Sequence, residues 1–439
     1  MSVLGYVAIG LIILVVTLII GIPIPFAFAC SFVFLTFTLG FEGNFQMNAG
    51  YGQINSVVLL AIPLFVLAGG IMEKGNIGSA LIGFVQCFVG HAKSGLGTVS
   101  VVTCAVFGAI SGSASATLSC IGSIMEPRMT EAGYPKGYSA SLLAAACPLG
   151  LLIPPSSAQI LYAWSSNQSV LACFLATIVP GIILATLLCI VNYVMTKKMD
   201  IKVVEHMDRK EWVGNLGRNT RHALPALFMP VIILGGIYSG IMTPTESAAV
   251  SVIYAVPVAM FIYKGMNLKG LKDALVDTST TTGVIMVMFF MVMILSKLLT
   301  MEGVPTLIAN TLLSITDNKY LILLMVNIFM IIIGMIMDDV SGILLCTPIL
   351  LPIVQAIGIH PVHFAAILGV NLGMGNITPP TAPMLYLSGR ICKAKIDKML
   401  SPIMIFIIFA WIPTLLLTTY FPAIATTIPR MFMPKIFMF

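Results

Sequence analysis

Runs of about twenty apolar residues follow one another along almost the whole chain, and a segment of that length has the bilayer as its natural solvent. Val3–Ile20, Pro23–Leu39, Ser56–Met72 and Leu171–Met195 are each long enough, at about 1.5 Å per helical residue, to approach or exceed the hydrocarbon thickness. Lipid offers no partner to a backbone N–H or C=O, so such runs must close their hydrogen bonds internally, as helices do. Composition agrees: 59% of the 439 residues are hydrophobic and 9% are charged, against roughly 25% charged in an average soluble domain. The expectation is an all-α polytopic membrane protein.

The first apolar run could pass for a secretory signal, but no Lys or Arg precedes Lys74, so the positively charged region of a signal is missing and Val3–Ile20 is expected to be retained as a helix. The nine cysteines are scattered with no C-x-x-C pair, which makes them small packing residues. The net charge of +6 raises the question of nucleic acid, and the placement of the basic residues answers it.

If the first helix runs inward, full crossings near 22–40, 55–73, 138–162 and 170–196 put the polar segment after Met195 in the cytoplasm. Further crossings near 223–239, 245–263, 276–297, 362–387 and 401–421 keep the later basic loops there too. That arrangement leaves only Lys297, Lys319, Arg430 and Lys435, of 22 basic residues, outside, as the positive-inside rule requires. Both termini then face outward. The count of about ten full crossings holds only if 98–125 and 320–352 enter and leave on one side as re-entrant hairpins. Both are broken mid-way by Gly, Ser or Asp, as two half-helices and a turn would be.

Internal similarity supports the hairpins. Gly108-Ala-Ile-Ser-Gly-Ser113-Ala-Ser115-Ala-Thr117 is matched by Gly334-Met-Ile-Met-Asp338-Asp339-Val-Ser341-Gly342, and Pro154-Pro155 by Pro379-Pro380. The spacing from Gly108 to Pro154 is 46 residues and from Gly334 to Pro379 is 45. Met72-Glu73 recurs as Met301-Glu302, and Gly21-Ile-Pro-Ile-Pro25 loosely as Gly240-Ile-Met-Thr-Pro244. Each half then holds five crossings and a hairpin, and an odd number of crossings inverts the second half, the plan of many secondary transporters. The expected division is a first repeat over 1–199, a cytoplasmic, amphipathic connector over 200–222, a second repeat over 223–425 and a tail over 426–439.

A Pro-Pro pair removes two N–H donors and disfavours helix before it, so Leu149–Ile153 and Leu372–Thr378 are expected to unwind. Freed carbonyls with Ser, Thr and Asn oxygens suit a small hard cation, while half-helix N-termini favour an anion. The stretch Ser111–Thr117 taken alone reads as close helix packing through small residues; two matched hairpins, each with a Pro-Pro break at the same distance, point instead to a binding site. Asp338 and Asp339 lie deep in an apolar stretch, where a carboxylate is costly unless paired or hydrated, and either could also cap the following half-helix. Glu246 in Thr243-Pro-Thr-Glu246 reads as part of a capping box with Pro at the first helical position. His360 and His363 lack a Cys or Glu partner set for a metal. Gly90–Gly97 is not a P-loop, and no catalytic constellation stands out, so no enzyme activity and no organic cofactor are expected.

At these residues the chain resembles the large membrane subunit of the tripartite ATP-independent periplasmic transporters, within the broader ion-transporter superfamily. The likeness rests on Gly112–Thr117, Leu152-Ile-Pro-Pro-Ser-Ser157, Thr243–Ala249, Met337-Asp-Asp339 and Asn376-Ile-Thr-Pro-Pro-Thr381, and spans essentially the full length. It implies a bacterial inner-membrane protein that pairs with a small four-helix membrane subunit and takes its solute from a soluble periplasmic binding protein. It implies sodium-coupled import of carboxylates such as C4-dicarboxylates or sialic acid, through an elevator motion of the hairpin regions. By this resemblance one sodium would sit among Ser111, Ser113, Ser115 and the stretch before Pro154. A second would sit near Asp338, Asp339, Asn371 and Thr378, with Ser156, Ser157 and Thr381 facing the carboxylate. The competing readings are a stand-alone cation-coupled carboxylate or oxyanion transporter of the same superfamily and, from another class, an ion channel or structural membrane scaffold.

Overall fold

The computed structural model describes residues 3–90, 93–201, 209–316 and 318–437, which are helical throughout with short connections and no strand. The first half comprises α1 (Val3–Ile20), α2 (Ile24–Leu39), α3 (Gly43–Ile54), α4 (Ala61–Lys74), α5 (Ile77–Val89), α6 (Gly95–Ser111), α7 (Ala114–Glu131), α8 (Lys136–Ala146), α9 (Leu149–Leu152), α10 (Ser157–Ser165) and α11 (Val170–Thr196). The second comprises α12 (Arg209–Tyr238), α13 (Pro244–Pro257), α14 (Leu268–Met301), α15 (Val304–Ile315), α16 (Lys319–Ile336), α17 (Asp339–Ala356), α18 (Pro361–Gly375), α19 (Pro383–Ile391), α20 (Ile396–Phe406), α21 (Ile412–Tyr420) and α22 (Pro422–Phe432). Among the described residues eight helices are long and apolar enough to cross a membrane singly, or nine if the bent pair Lys136–Leu152 and Ser157–Ser165 is one span. Both arms of the second hairpin are among the eight, whereas α2 and the part Gly5–Ile20 of α1 are shorter apolar helices.

Helix boundaries in the two halves run in parallel at a spacing of about 225 residues. α5 to α7 are echoed by α15 to α17, α8 to α10 by α18 and α19, and α11 by the run Ile396–Tyr420. The peptide bonds Pro154–Pro155 and Pro379–Pro380 are both cis. One difference stands out: α3 and α4 are separated by a break at Asn55–Ser56, whereas their counterpart α14 is a single helix of 34 residues.

Two layers of packing follow. α4 lies against α13 and α14, α14 also against α2 and α3, and α12 against α5, so these helices form one framework. Inside it the hairpins and broken helices interlock: α6 packs on α9 and α16 on α18. The second part of each broken helix crosses to the other half's hairpin, α10 onto α17 and α19 onto α7. Glycines permit the closest of these approaches. A Cβ on Gly108 would lie 2.5 Å from the Cα of Gly150, and one on Gly375 would lie 2.6 Å from the Cα of Gly334, separations that no side chain tolerates without a backbone shift.

Several elements depart from the sequence expectation. The hairpins run over 95–131 and 319–356, longer than 98–125 and 320–352, because their apolar arms continue into polar helical turns. α5 and α15 are additional short helices between crossing and hairpin, with one apolar face each, too short to register as spans. The expected surface connector is instead partly the start of α12: the helix runs unbroken from Arg209 into the apolar segment, and 202–208 lies outside the described residues. Trp212 Nε1 donates to Cys87 O at 2.8 Å and Asn219 Nδ2 reaches Cys87 Sγ at 3.1 Å, which docks that polar stretch on the end of α5. The tail is partly helical as α22. Unwinding is also narrower than expected. A proline at position i deprives the carbonyl at i−4, so α18 stays helical to Gly375 and opens only over 376–382; before Pro154, Leu149–Leu152 forms one turn of helix after Pro148. The capping box is present, with Thr243 Oγ1 accepting from Glu246 N at 3.3 Å and Glu246 Oε2 accepting from Thr243 N at 2.7 Å.

Candidate functional site

The first hairpin turns at Gly112, whose φ of +61° suits glycine, and its N–H closes α6 on Gly108 O at 2.8 Å. Ser113 then caps α7, accepting from Ala116 N at 3.5 Å. Around this turn hydroxyls crowd together: Ser111 Oγ lies 3.1 Å from Thr117 Oγ1, Thr117 Oγ1 donates to Ser113 O at 2.7 Å, and Ser113 Oγ lies 3.1 Å from Ser115 Oγ. The break at Pro154–Pro155 is pinned to the same turn. Ser157 donates to Gly112 O from its N–H at 3.3 Å and from Oγ at 3.1 Å. Ser156, fully buried, caps α10 by accepting from Gln159 N at 3.5 Å.

The second tip is built in the same way from carboxylates. Asp338 stands at the cap of α17, its carbonyl accepting from Gly342 N at 2.9 Å and its Oδ1 accepting from Ser341 Oγ. The break at 376–382 is tied to this tip: the Asn376 amide is 3.1 Å from Gly334 O and 3.0 Å from Met337 O, oriented to donate to both, and Thr381 Oγ1 donates to Met335 O.

Both tips open into one cavity of about 800 Å³. Of the residues singled out from sequence, Ser111, Ser113, Ser115, Ser157, Asp338 and Asp339 line it. Pro154, Ser156, Asn371, Thr378 and Thr381 do not. Thr378 Oγ1 turns back to Met374 O at 2.7 Å. Asn371 is fully buried on α18, donating to Asn327 Oδ1 at 3.0 Å and Ile367 O at 2.8 Å, while Asn327 donates to Thr419 Oγ1 at 3.1 Å. It therefore ties α16, α18 and α21 together. His360 and His363 also sit apart, on the backbone carbonyls of Ile436 at 3.3 Å and Thr418 at 2.7 Å.

Other lining residues were not legible as site residues. α4 contributes Glu73 and Lys74, and α14 contributes Asp277, Thr278, Thr281 and Met288. Lys74 Nζ and Asp277 Oδ2 pair at 2.5 Å across the two helices. Apart from Met288, which lies within the apolar run of α14, each of these residues lies near the polar end of an apolar run, a signal shared with any membrane-facing helix terminus, so only their convergence in space distinguishes them. The cavity's donors are hydroxyl, carbonyl and carboxylate oxygens, the set that a hard monovalent cation takes.

Comparison with known proteins gives a consistent result. The family model described as "Tripartite ATP-independent periplasmic transporter, DctM component" matches residues 11–424. The C4-dicarboxylate TRAP transporter large permease protein DctM of Pseudomonas aeruginosa is 36% identical, over 85% of this chain and 86% of its own length. The sialic acid TRAP transporter large permease protein SiaM of Vibrio cholerae is 32% identical, over 94% of this chain and 96% of its own. The isethionate TRAP transporter permease protein DctMQ of Oleidesulfovibrio alaskensis is 36% identical over 93% of this chain, which spans 64% of that longer protein. Among solved structures, the YdaH transporter of Alcanivorax borkumensis superposes with a TM-score of 0.61 at 15% identity, covering 85% of this chain and 86% of that one, a likeness of fold.

Proposed function

We propose, from the premise that this chain belongs to the DctM component family of tripartite ATP-independent periplasmic transporters, that it is the translocating subunit of a sodium-coupled importer of organic acids. The observation that carries the reading is the joint opening of both hairpin tips, Ser111–Ser115 and Asp338–Asp339, into a single cavity. Sodium enters as a co-transported substrate, held at the first tip by the serine oxygens and at the second by the aspartate carboxylates. Of the residues expected from sequence, Asn371 lies outside the cavity and braces the second hairpin through Nδ2, which donates to Asn327 and Ile367, while its buried Oδ1 has no hydrogen-bond partner among the described residues and is the one atom through which it would ligate an ion.

The acid is a carboxylate or related anion, in the range of the relatives named for C4-dicarboxylates, sialic acid and isethionate. The N-terminus of α10, where Ser157 lines the cavity, turns its positive dipole end toward it. Interlocked hairpins and broken helices move as one unit against the framework of α1–α5 and α12–α15, with the second half inverted relative to the first and both termini outside. A small four-helix membrane subunit and a soluble binding protein complete the transporter in the bacterial inner membrane. A single cavity that reaches Lys74 on the basic side corresponds to the state open to the cytoplasm.

Proteoliposomes containing the chain with both partners test this. An imposed sodium gradient should drive uptake of at least one acid among succinate, N-acetylneuraminate and isethionate, and Asp338→Asn or Ser113→Ala should abolish the sodium dependence while leaving the melting profile intact. Unchanged sodium dependence in both variants would sink the ion sites; uptake by the chain alone would favour the stand-alone transporter.

A further inference from the structure

The cavity has an unusual charge balance for a route taken by an anion. Among the described residues its lining carries four carboxylates, Glu73, Asp277, Asp338 and Asp339, and one cationic side chain, Lys74. An acid group approaching through this lining meets net repulsion except where Lys74 stands. Lys74 is already engaged, 2.5 Å from Asp277, in a pair whose members are unequally exposed: 34% for the lysine side chain and 69% for the aspartate. The aspartate is the member that water can take over at little cost when the pair parts, because exposed ion pairs are held only weakly. Lys74 also borders a second, smaller cavity of about 200 Å³, lined by Lys264, Gly265, Met266, Asn267 and Gly270 at the start of α14. The cation that lines the large cavity is thus also the step to a second cation, Lys264.

We infer that Lys74 receives the acid group of the transported solute at the mouth of the cavity, and that Asp277 is its exchange partner, reclaiming the ammonium as the solute departs past Lys264. The ligand class is a carboxylate or sulfonate. The inference rests on the transport reading above and assigns the site's specificity for negative charge to framework helices α4 and α14, apart from the hairpin tips.

The first test does not depend on identifying the solute. Ser119, which lines the cavity on α7, is replaced by cysteine in the full chain, and its labelling by sulfonatoethyl and trimethylammonioethyl methanethiosulfonate is followed by mass spectrometry at that position alone. The anion-to-cation rate ratio should fall about threefold or more in Lys74→Gln, rise by a similar factor in Asp277→Asn and be retained in Lys74→Arg, with all three differences shrinking at high salt. Equal ratios in all variants would overturn the inference, and Asp277→Asn decides it alone if Lys74→Gln fails to fold. In liposomes that take up an acid, Lys74→Gln should raise the internal concentration for half-maximal exchange on the order of fivefold, with rescue by arginine; an unchanged value would overturn it too. Failure of the transport reading registers separately, as absence of sodium-driven uptake by the unmodified protein.

Discussion

Replacing Gly108 by alanine tests the contact on which the first half of the site is built. A Cβ there would meet Gly150 Cα at 2.5 Å and Gly150 N at 3.0 Å. Both are backbone atoms, so no side chain can swing away; either α6 or the break before Pro154 must move. Overpacking of this kind costs about 1–3 kcal/mol, and unfolding entropy scaled to 439 residues converts each kcal/mol to roughly 1 °C of melting temperature. Gly108→Ala should therefore melt about 1–3 °C below the parent, and Gly375→Ala, whose Cβ would meet Gly334 Cα at 2.6 Å, should behave alike. A thiol-reactive dye reporting exposure of the buried Cys104 and Cys147 provides the assay. Gly235 on α12 has open space where a Cβ would stand, so Gly235→Ala is the control and should be neutral or slightly stabilising, since alanine favours helix over glycine. If Gly108→Ala and Gly375→Ala melt with Gly235→Ala, the tight approach of each hairpin to its broken helix is wrong.

Three further outcomes follow from particular contacts. Asn371→Ala should lower stability by about 1–2 kcal/mol through loss of its buried bonds to Asn327 and Ile367, with the sodium concentration for half-maximal uptake unchanged; a shift in that value with normal melting would return Asn371 to the ion site. Thr243→Ala should cost about 1 kcal/mol by removing the cap of α13, read as a lower melting temperature with unaltered uptake at low temperature. His360 holds the tail: its Nδ1 accepts from Val362 N at 3.1 Å, its Nε2 meets Ile436 O at 3.3 Å and its ring stacks on Phe437 at 4.4 Å. Burial lowers its pKa from 6.5, the Ile436 carbonyl works against that shift, and Arg430 adds to it. A base whose folded pKa is depressed binds fewer protons folded than unfolded, so its contribution is present above about pH 6.5 and is lost as pH falls through the folded value. Protection factors in 422–437, taken relative to the intrinsic exchange rate at each pH, should fall between pH 7.5 and pH 5.5, and this response should vanish in His360→Ala; equal protection factors at both pH values would refute the role.

The hairpin tips and the Pro-Pro breaks were legible in the sequence because their signals are local. Gly112 needs a left-handed backbone, Ser113 and Ser156 cap the helices they precede, and a proline acts on a carbonyl four residues back. The expected unwinding at Leu372–Thr378 extends a local signal too far: the deprived carbonyls begin at Gly375, so α18 stays helical to that residue. α5 and α15 were missed because an amphipathic segment of 12 or 13 residues is too short to register as a span and carries no breaker within it.

The charged wall of the cavity belongs to a different category. Nothing along the chain connects Lys74 to Asp277, which are 203 positions apart; they meet because α4 and α14 are equivalent helices of the two halves packed against each other. A repeat that brings equivalent helices together also brings together whatever side chains occupy their polar ends, and those ends need not match. Here the C-terminal end of α4 meets the N-terminal third of α14, so Lys74 and Asp277 come from different positions of the repeat, their counterparts at the 225-residue spacing being Leu299 and Gly52. The hairpin tips diverge likewise, serines on one and aspartates on the other. Repetition thus accounts for where the site is, while the departures from repetition supply its charge, and it is those departures that a solute carrying negative charge would distinguish.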